Sequence, residues 1–285
     1  MIELSTTARA KLNLTLDVIG KRPDGYHNLR MVMQEIELGD EIAVRLETDM
    51  PWSLTTDSGE IPNDEGNLAI KAARAFFKES GINPHGFSVS IQKQIPVCAG
   101  MGGGSADGAA ILRLLYTHYK KPFPEKTLFL IAEQVGSDVP FALFGGTALA
   151  EEKGQLLRRL PPLSRCCILL CKPNFPVSTP ELFRTVDRET ISFRPDTEKM
   201  CMALQSGDIN SIASQMYNVF EPIVSRNHPE LYEIRKTMIS SGALGVSMTG
   251  SGPTMFGIFP DTVNAQTAFH QLKSRYRDTF LTKPM

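Results

Sequence analysis

A glycine-rich segment between a predicted strand and a predicted helix constrains this chain more than any other feature. Residues 100–107 read Gly-Met-Gly-Gly-Gly-Ser-Ala-Asp. Alternating apolar and polar residues predict a strand over 87–95, and apolar periodicity predicts a helix over 106–119. Glycine lets the backbone approach a ligand closely, and the N–H groups at a helix start attract phosphate. We therefore predict a phosphate-binding loop, with a flexible loop and Ser105 as helix N-cap as the alternative.

Two familiar phosphate-binding motifs fit this segment less well. A Walker loop ends in Gly-Lys-Ser/Thr, whereas Ser105 and Ala106 follow the glycines here. A dinucleotide fingerprint needs a third glycine where Ser105 stands, and it follows a strand that is apolar on both faces. The strand predicted over 87–95 is apolar on only one face. NAD binding is therefore the runner-up on the glycines alone.

The N-terminal region predicts two strands joined by a tight turn. Residues 8–18 alternate strictly between apolar and polar types, which is typical of a half-buried strand. The segment 21–25 contains Pro-Asp-Gly, and a turn there would present Tyr26 and His27. Strand-like sequence then continues through Val44.

Further along the chain, the pattern predicts helices and a joint between two domains. Helices are expected over 67–79 and 125–135, the second ending at Gly136. Residues 151–165 are charged and then contain Pro-Pro, so we place the joint there, between domains 1–158 and 159–285. A second glycine cluster at 248–254 indicates by itself only a loop.

Charge and hydropathy limit the partners of the chain. With 30 basic and 31 acidic residues, it has no excess charge to hold a nucleic acid or an anionic membrane. Nowhere is there an apolar run long enough to cross a bilayer, and the first twenty residues resemble neither a signal nor a transit peptide. Any polyanionic ligand must therefore be bound by a local group of residues.

Cysteine and histidine usage argues against disulfides and metal sites. The five cysteines are an odd number, and three of them lie in the apolar segment CCILLC at 166–171, where burial is expected. The five histidines lack the paired spacing of a zinc site. We predict free cysteines in a reducing compartment and no structural metal.

Three segments together resemble the motifs of the GHMP kinases, over nearly the whole length of the chain. They are an early strand with a lysine, Pro96 followed by the loop 100–105, and the later cluster Thr249-Gly250-Ser251-Gly252. Within that superfamily, residues 10–14 followed by 20–27 resemble the branch whose substrate is a cytidyl-linked methylerythritol.

This resemblance implies both a fold and a reaction. The fold is α+β, with an N-terminal domain like ribosomal protein S5, a ferredoxin-like C-terminal domain and a site between them. The reaction moves the γ-phosphoryl group of ATP to the tertiary 2-hydroxyl of the methylerythritol unit, in isoprenoid precursor synthesis. A bacterial cytoplasmic enzyme, monomeric or weakly dimeric, is expected.

The resemblance also implies catalytic roles. Asp138 matches the catalytic aspartate, which would accept the proton of the substrate hydroxyl. Its alternative role is to cap the following segment. Lys11 matches the lysine that keeps this aspartate ionised, although most strand lysines are simply solvated. Lys11 and Asn13 share one face of a strand about 6.5 Å apart, so one substrate could contact both.

On the nucleotide side, the resemblance implies an ATP site without assignable metal ligands. Asn67 and Lys93 match positions near the adenosine and its phosphates, but Lys93 could instead extend from the strand end to solvent. Mg²⁺ would arrive with ATP. Ala106 stands where many members carry a second serine, and no protein ligand of the ion is assigned. The remaining expected ATP-binding residues are Pro96, Gly100, Met101, Gly102, Gly103, Gly104 and Ser105.

On the acceptor side, the resemblance implies a cytosine pocket. Tyr26 and Phe183 would stack on opposite sides of the base, and His27 would add selectivity with one donor and one acceptor. Each aromatic could instead fill the core. The other expected substrate-binding residues are Asn13, Thr179, Gly250 and Ser251.

Two rival functions stay open at this stage. A GHMP kinase for another small alcohol, such as mevalonate or homoserine, would keep both glycine loops but has no evident need for the cytosine pocket. A catalytically silent nucleotide-binding module on the same fold is the other rival, and the presence of Lys11 and Asp138 argues against it.

Overall fold

The computed structural model describes residues 2–46 and 51–285. The strands are β1 (Ile2–Lys21), β2 (His27–Leu46), β3 (Ser53–Thr56), β4 (Phe87–Gln92), β5 (Thr147–Glu152), β6 (Leu156–Arg159), β7 (Cys167–Lys172), β8 (Tyr217–Asn218), β9 (Gly245–Met248), β10 (Met255–Phe259) and β11 (Asp278–Thr282). The helices are α1 (Leu68–Ser80), α2 (Gly103–His118), α3 (Glu125–Val135), α4 (Val139–Phe144), α5 (Thr179–Arg188), α6 (Thr197–Ser206), α7 (Ile209–Ser214), α8 (Glu221–Ser225), α9 (Glu230–Ser240) and α10 (Thr262–Lys273).

The predicted strand at 8–18 lies within β1, but the expectation that it is half-buried is wrong. Its apolar face is buried as predicted, and its polar face is buried as well from Lys11 to Asp17. Buried polar groups need hydrogen-bond partners, and these residues have them. Thr15 accepts the Val32 amide, for example, and Asp17 accepts from Arg194.

The predicted turn between β1 and β2 is confirmed. The Arg22 amide donates to the Tyr26 carbonyl oxygen at 2.8 Å, and the Asp24 carboxylate accepts from the Tyr26 amide at 3.1 Å. Gly25 has φ of +85°, a left-handed conformation that glycine adopts readily.

The chain folds into two compact units that alternate along the sequence. The first unit comprises Met1–Ala10, Leu38–Val97 and Gly102–Gly145, and the second comprises Lys11–Glu37, Cys98–Met101 and Gly146–Met285. The predicted domain joint at 151–165 stays a prediction. Its first part is a hairpin, since β5 and β6 pair in antiparallel fashion.

The first unit combines a sheet with helices. In it, β4 lies between β2, which is antiparallel to it, and β3, which is parallel to it. Helix α1 packs on α2 and α3, and α2 also packs on α4. Helix α1 starts at the N-cap Asn67 and ends before Gly81, whose φ is +68°.

The second unit contains two sheets. One has the order β6-β5-β2-β1-β8, and the other has the order β11-β7-β10-β9. The second sheet is antiparallel throughout, and α10 connects β10 to β11. Numbered within the sheet, its strand order is 4-1-3-2, which is the ferredoxin-like arrangement expected of the C-terminal domain. The α+β fold is therefore confirmed.

Two predicted boundaries near the glycine-rich segment need correction. Strand β4 ends at Gln92 instead of residue 95, because the Asp40 carboxylate takes up the backbone N–H groups of Gln94 and Ile95. Helix α2 begins at Gly103 instead of Ala106, directly after Gly102, which has φ of +69°. The glycines therefore form the first turn of the helix.

Two further expectations concern cysteines and membrane spans. All five cysteines are free, and Cys171 and Cys201 are buried. Within residues 2–46 and 51–285, no helix has the length and apolar character required to span a bilayer.

Candidate active site

In the second unit, the polar face of β1 builds a buried cluster around Lys11. The Lys11 ammonium donates to Asn13 Oδ1 and to the Gly100 carbonyl oxygen, each at 2.8 Å. The Lys11 amide also donates to the Met101 carbonyl oxygen at 3.1 Å. Lys11 is only 7% exposed, so it is not a solvated strand lysine. The strand thus holds the beginning of the glycine-rich segment with both backbone and side chain.

The two glycine clusters meet at this point through Asn13. Asn13 Oδ1 accepts the Gly250 amide at 3.0 Å, and the Asn13 amide donates to Thr249 Oγ1 at 3.1 Å. The backbones lie so close that a Cβ on Gly100, with φ of +74°, would overlap the Thr249 carbonyl oxygen. A Cβ on Gly250 would lie 2.5 Å from the Gly100 carbonyl oxygen. Glycine is needed at both positions for this approach.

Helix α5 presents three residues spaced by four on one face, Thr179, Phe183 and Asp187. Thr179 Oγ1 hydrogen-bonds to Ser251 Oγ at 2.8 Å, and the Phe183 ring stacks on His27 with a centroid distance of 4.6 Å. The structure therefore brings together two pairs of residues that the sequence predicted for substrate binding.

The third residue on this face, Asp187, contacts His27 and Lys21. Asp187 Oδ1 lies 2.7 Å from His27 Nε2, and Asp187 Oδ2 accepts from Lys21 Nζ at 2.7 Å. Hydrogen bonds from Lys21 and then from His27 hold the pKa of Asp187 below its ordinary value. His27 is 8% exposed, whereas Tyr26 is 61% exposed, with its ring facing the ammonium of Lys153.

In the first unit, the start of α2 presents the expected phosphate-binding backbone. The first bond of the helical ladder runs from the Ala106 amide to the Gly102 carbonyl oxygen, so the amides of residues 103–105 precede it. The N-cap residue, Gly102, has no side chain that could cap the helix, and Gly104 is exposed. The alternative role of Ser105 as N-cap is wrong, because Ser105 lies inside the first turn.

Lys93 lies beneath this helix start in a buried cluster of three charges. Its ammonium contacts Asp40 Oδ2 and, at 3.0 Å, Asp107 Oδ2, and the Lys93 side chain is 7% exposed. It therefore does not extend to solvent. Burial raises the pKa of Asp107 to about 7 in spite of the opposing charge of Lys93. A Cβ on Gly103 would lie 3.3 Å from Lys93 Nζ, so the cluster supports the loop directly.

Asn67 and Asp138 also belong to the first unit. Asn67 caps α1 by accepting the Ala69 amide at 2.9 Å, and it donates to the Pro62 carbonyl oxygen at 2.8 Å. Asp138 precedes α4 at the N-cap position, but its side chain makes no capping hydrogen bond with that helix. The Asp138 carboxylate therefore does not cap α4.

Several site residues were missed by the sequence prediction. Asp187 had a detectable signal, since it follows Phe183 by four residues, the spacing that places two side chains on the same face of a helix. Asn218 had none, although its amide donates to the carbonyl oxygens of Met248 and Gly250 and so holds the second glycine cluster. Asp40, which contacts Lys93, lies 53 residues earlier in the chain, beyond the reach of local patterns.

The glycine-rich helix start and the paired glycine clusters define a class of protein. The chain matches the family model "GHMP kinases N terminal domain" over residues 67–146 and the model "GHMP kinases C terminal" over residues 202–278. The first match covers α1 to α4, including the glycine-rich helix start. The class is that of the GHMP small-molecule kinases.

Similar proteins narrow this class further. The chain is 38% identical to the 4-diphosphocytidyl-2-C-methyl-D-erythritol kinase of Alkaliphilus metalliredigens, covering 99% of this chain and 97% of the relative. It is 43% identical to the protein of the same name from Pelotomaculum thermopropionicum, covering 97% and 94%. A crystal structure of 4-(cytidine 5'-diphospho)-2C-methyl-D-erythritol kinase matches with a TM-score of 0.83 and 31% identity, covering 99% of both chains. The chain belongs to the 4-diphosphocytidyl-2-C-methyl-D-erythritol kinase family of the GHMP kinases.

Proposed function

We propose that this kinase transfers the γ-phosphoryl group of ATP to the 2-hydroxyl of 4-(cytidine 5'-diphospho)-2-C-methyl-D-erythritol, giving the 2-phosphate and ADP, in non-mevalonate isoprenoid precursor synthesis. The buried Lys11 is the observation that supports it most strongly. A lysine ammonium held in a buried site is costly unless it has partners or a function. Here it is fixed by Asn13 and Gly100, in the segment that leads into the phosphate-binding helix.

The proposed chemistry is a single in-line displacement. The substrate oxygen forms a bond to the γ-phosphorus while the bond to the bridging oxygen of ADP breaks, and Asp138 accepts the hydroxyl proton. Lys11 supplies positive charge to the developing alkoxide. Asn13 positions the acceptor, since its amide is itself held by hydrogen bonds on both sides.

ATP is proposed to bind with its phosphates at the start of α2. The amides of Gly103, Gly104 and Ser105 would hold phosphate oxygens, helped by the helix dipole. Mg²⁺ would come bound to ATP and neutralise charge on its phosphates. Among the residues that the structure describes, no group of His, Cys, Asp or Glu side chains has the arrangement of a metal site. Asn67 and Lys93 are proposed to act at the adenosine side, with Pro96, Gly100, Met101 and Gly102 shaping the loop.

The cytidyl group is proposed to bind beside the α5 face described above. Tyr26 and Phe183 would stack on the base, His27 would read its edge, and Thr179 with Ser251 would contact the rest of the substrate. We propose that the protein acts in the cytoplasm as a monomer or weak dimer, without nucleic-acid or membrane partners.

An acceptor panel tests the proposed reaction. Purified protein is supplied with ATP and Mg²⁺ and with the cytidyl substrate, mevalonate, homoserine or no acceptor, and ADP release is measured. We expect ADP release only with the cytidyl substrate, and the product phosphate on the tertiary oxygen by phosphorus NMR. Release of ADP with mevalonate or homoserine, but not with the cytidyl substrate, would contradict the proposal.

Asp138→Asn tests the proposed base. Turnover should fall about 10²-fold to 10⁴-fold, the usual contribution of a positioned base. Binding of a non-hydrolysable ATP analogue should be unchanged, because asparagine is nearly isosteric with aspartate. Glu60→Gln makes the same chemical change at an exposed position and should leave turnover unchanged. Full turnover by Asp138→Asn would exclude Asp138 as the base.

A further inference from the structure

Asp187 occupies a position that its helix does not favour. It lies in the last turn of α5, where the negative end of the helix dipole disfavours a carboxylate. Its ion pair with Lys21 involves side chains that are 23% and 59% exposed, and surface pairs of this kind contribute little to stability. Neither local helix energetics nor the ion pair explains why a carboxylate is placed here. Its remaining contact is with His27.

That contact determines which nitrogen of His27 carries hydrogen. An ionised carboxylate only accepts hydrogen bonds, and the hydrogen bonds from Lys21 and His27 keep the pKa of Asp187 low. At 2.7 Å from Asp187 Oδ1, His27 Nε2 must therefore be the donor. In the neutral ring, the other nitrogen, Nδ1, then has a lone pair and acts as an acceptor.

The orientation of the ring is fixed as well as its tautomer. Phe183 stacks on the His27 ring at an interplanar angle of 20°, and Phe183 in turn packs edge-on against Phe220. The His27 ring is thus held at one nitrogen by Asp187 and on one face by Phe183, two residues of the same helix. An acceptor at Nδ1 is therefore presented in a defined direction.

We infer that Asp187 is a positioning residue that makes the enzyme select cytosine over uracil, by keeping His27 Nδ1 as a hydrogen-bond acceptor. This inference rests on the proposed function, in which His27 reads the base. The two bases differ at position 4, where cytosine carries an amino donor and uracil carries a carbonyl acceptor. The Nδ1 lone pair accepts from the amino group and faces the uracil oxygen without a hydrogen between them. Lys21 binds the second carboxylate oxygen and leaves Oδ1 to His27.

The test compares the cytidyl substrate with its uridyl counterpart in the full-length enzyme. In Asp187→Leu, the ratio of kcat/KM for the two substrates should fall by about 10-fold to 100-fold, the discrimination carried by a well-placed base contact. The change should appear in KM for the cytidyl substrate, with kcat and the KM for ATP nearly unchanged. Asp187→Glu, which keeps an acceptor, should restore part of the preference.

Two controls separate this role from a structural one. Glu189→Leu removes a carboxylate two residues away that pairs with Arg226 at 2.6 Å, and it should leave the substrate ratio unchanged. Lys21→Met removes the ion pair but leaves the His27 contact, and it should preserve most of the preference. A loss in Glu189→Leu equal to that in Asp187→Leu would overturn the inference, because it would indicate a general effect of loosening α5.

Nitrogen-15 NMR of the His27 ring supplies a readout that needs no substrate. At alkaline pH, the unliganded enzyme should show hydrogen on Nε2, and Asp187→Leu should show a mixture of tautomers. Hydrogen on Nδ1 in the unchanged enzyme, or an unchanged substrate ratio in Asp187→Leu, would overturn the inference. Failure of the proposed function gives a different result, since the unchanged enzyme would then not phosphorylate the cytidyl substrate at all.

Discussion

Replacing Asp107 with asparagine should change how the stability of the kinase depends on pH. Asp107 is 2% exposed, and burial raises its pKa from the ordinary 3.8 to about 7, with Asp40 adding to the effect and Lys93 opposing it. Between those two values the folded chain holds a proton that the unfolded chain releases. The stabilising contribution is therefore complete below the lower value and is lost as the pH rises through about 7.

The size of this effect follows from the two pKa values. At about 1.4 kcal/mol for each tenfold change in proton affinity, the whole difference corresponds to roughly 4 kcal/mol. Between about pH 5 and about pH 8, the protein should lose roughly 2 to 3 kcal/mol of this stabilisation. The asparagine side chain in the variant does not titrate. The free energy of unfolding of Asp107→Asn, relative to that of the unchanged protein, should therefore rise by this amount between the two pH values.

The single tryptophan makes the measurement local. Trp52 packs against Phe87 at a centroid distance of 4.7 Å, in the same compact unit as Asp107. Urea unfolding followed by Trp52 fluorescence at several pH values gives the free energy of unfolding, reported from the unit that contains Asp107. Glu60→Gln changes an exposed carboxylate, and its free energy of unfolding should have the same pH dependence as that of the unchanged protein. If the free energy of unfolding of Asp107→Asn also has the pH dependence of the unchanged protein, the buried carboxyl group does not titrate as expected.

Three further substitutions test the loops and the base pocket. Gly100→Ala should destabilise the protein by about 1 to 3 kcal/mol in chemical denaturation, because its Cβ would overlap the Thr249 carbonyl oxygen. Gly104→Ala, whose Cβ would make only an ordinary contact, should not destabilise it. Equal losses of stability in the two variants would refute the close contact between the backbones of Gly100 and Thr249. Gly104→Val should weaken binding of an ATP analogue by calorimetry while the fold is kept, because a Cβ at this position makes only an ordinary contact with Leu68 at 3.6 Å, and unchanged affinity would mean that the phosphates lie elsewhere. Tyr26→Ala should cost roughly 1 to 3 kcal/mol, or about 5-fold to 150-fold, in affinity for the cytidyl substrate but not for ATP, and equal losses for both ligands would contradict base stacking.

The existence and order of the elements around the site could be predicted from the sequence, because they depend on local patterns. Strict alternation predicted the strand at 8–18, and helical periodicity predicted α1 and α3 to within one residue at most. What could not be predicted was the burial of the polar face of β1. Asn13 and Thr249 are 236 residues apart, and no local pattern reveals that pairing.

Lys93 is a second residue whose surroundings could not be predicted from the sequence. In the sequence, Lys93 is in register with the apolar residues of its predicted strand, but the sequence could not distinguish a nucleotide ligand from a residue that extends to solvent. The two carboxylates that surround it come from β2 and α2. Only the fold brings these carboxylates to Lys93, and it makes Lys93 part of a buried cluster of charged residues instead of a lysine exposed to solvent.

The glycine-rich segment combines two physical requirements that look alike in sequence. Gly100 is needed for close contact with a second loop, since a side chain there would overlap the Thr249 carbonyl oxygen. Gly102 provides the left-handed residue from which α2 starts, and Gly103 fits against Ile95 with no room to spare. Gly104 meets neither constraint in the protein itself, as its Cβ would make only an ordinary contact. If glycine is required at 104, the reason must therefore be the ligand, and this makes the position the cleanest test of phosphate binding at the helix start.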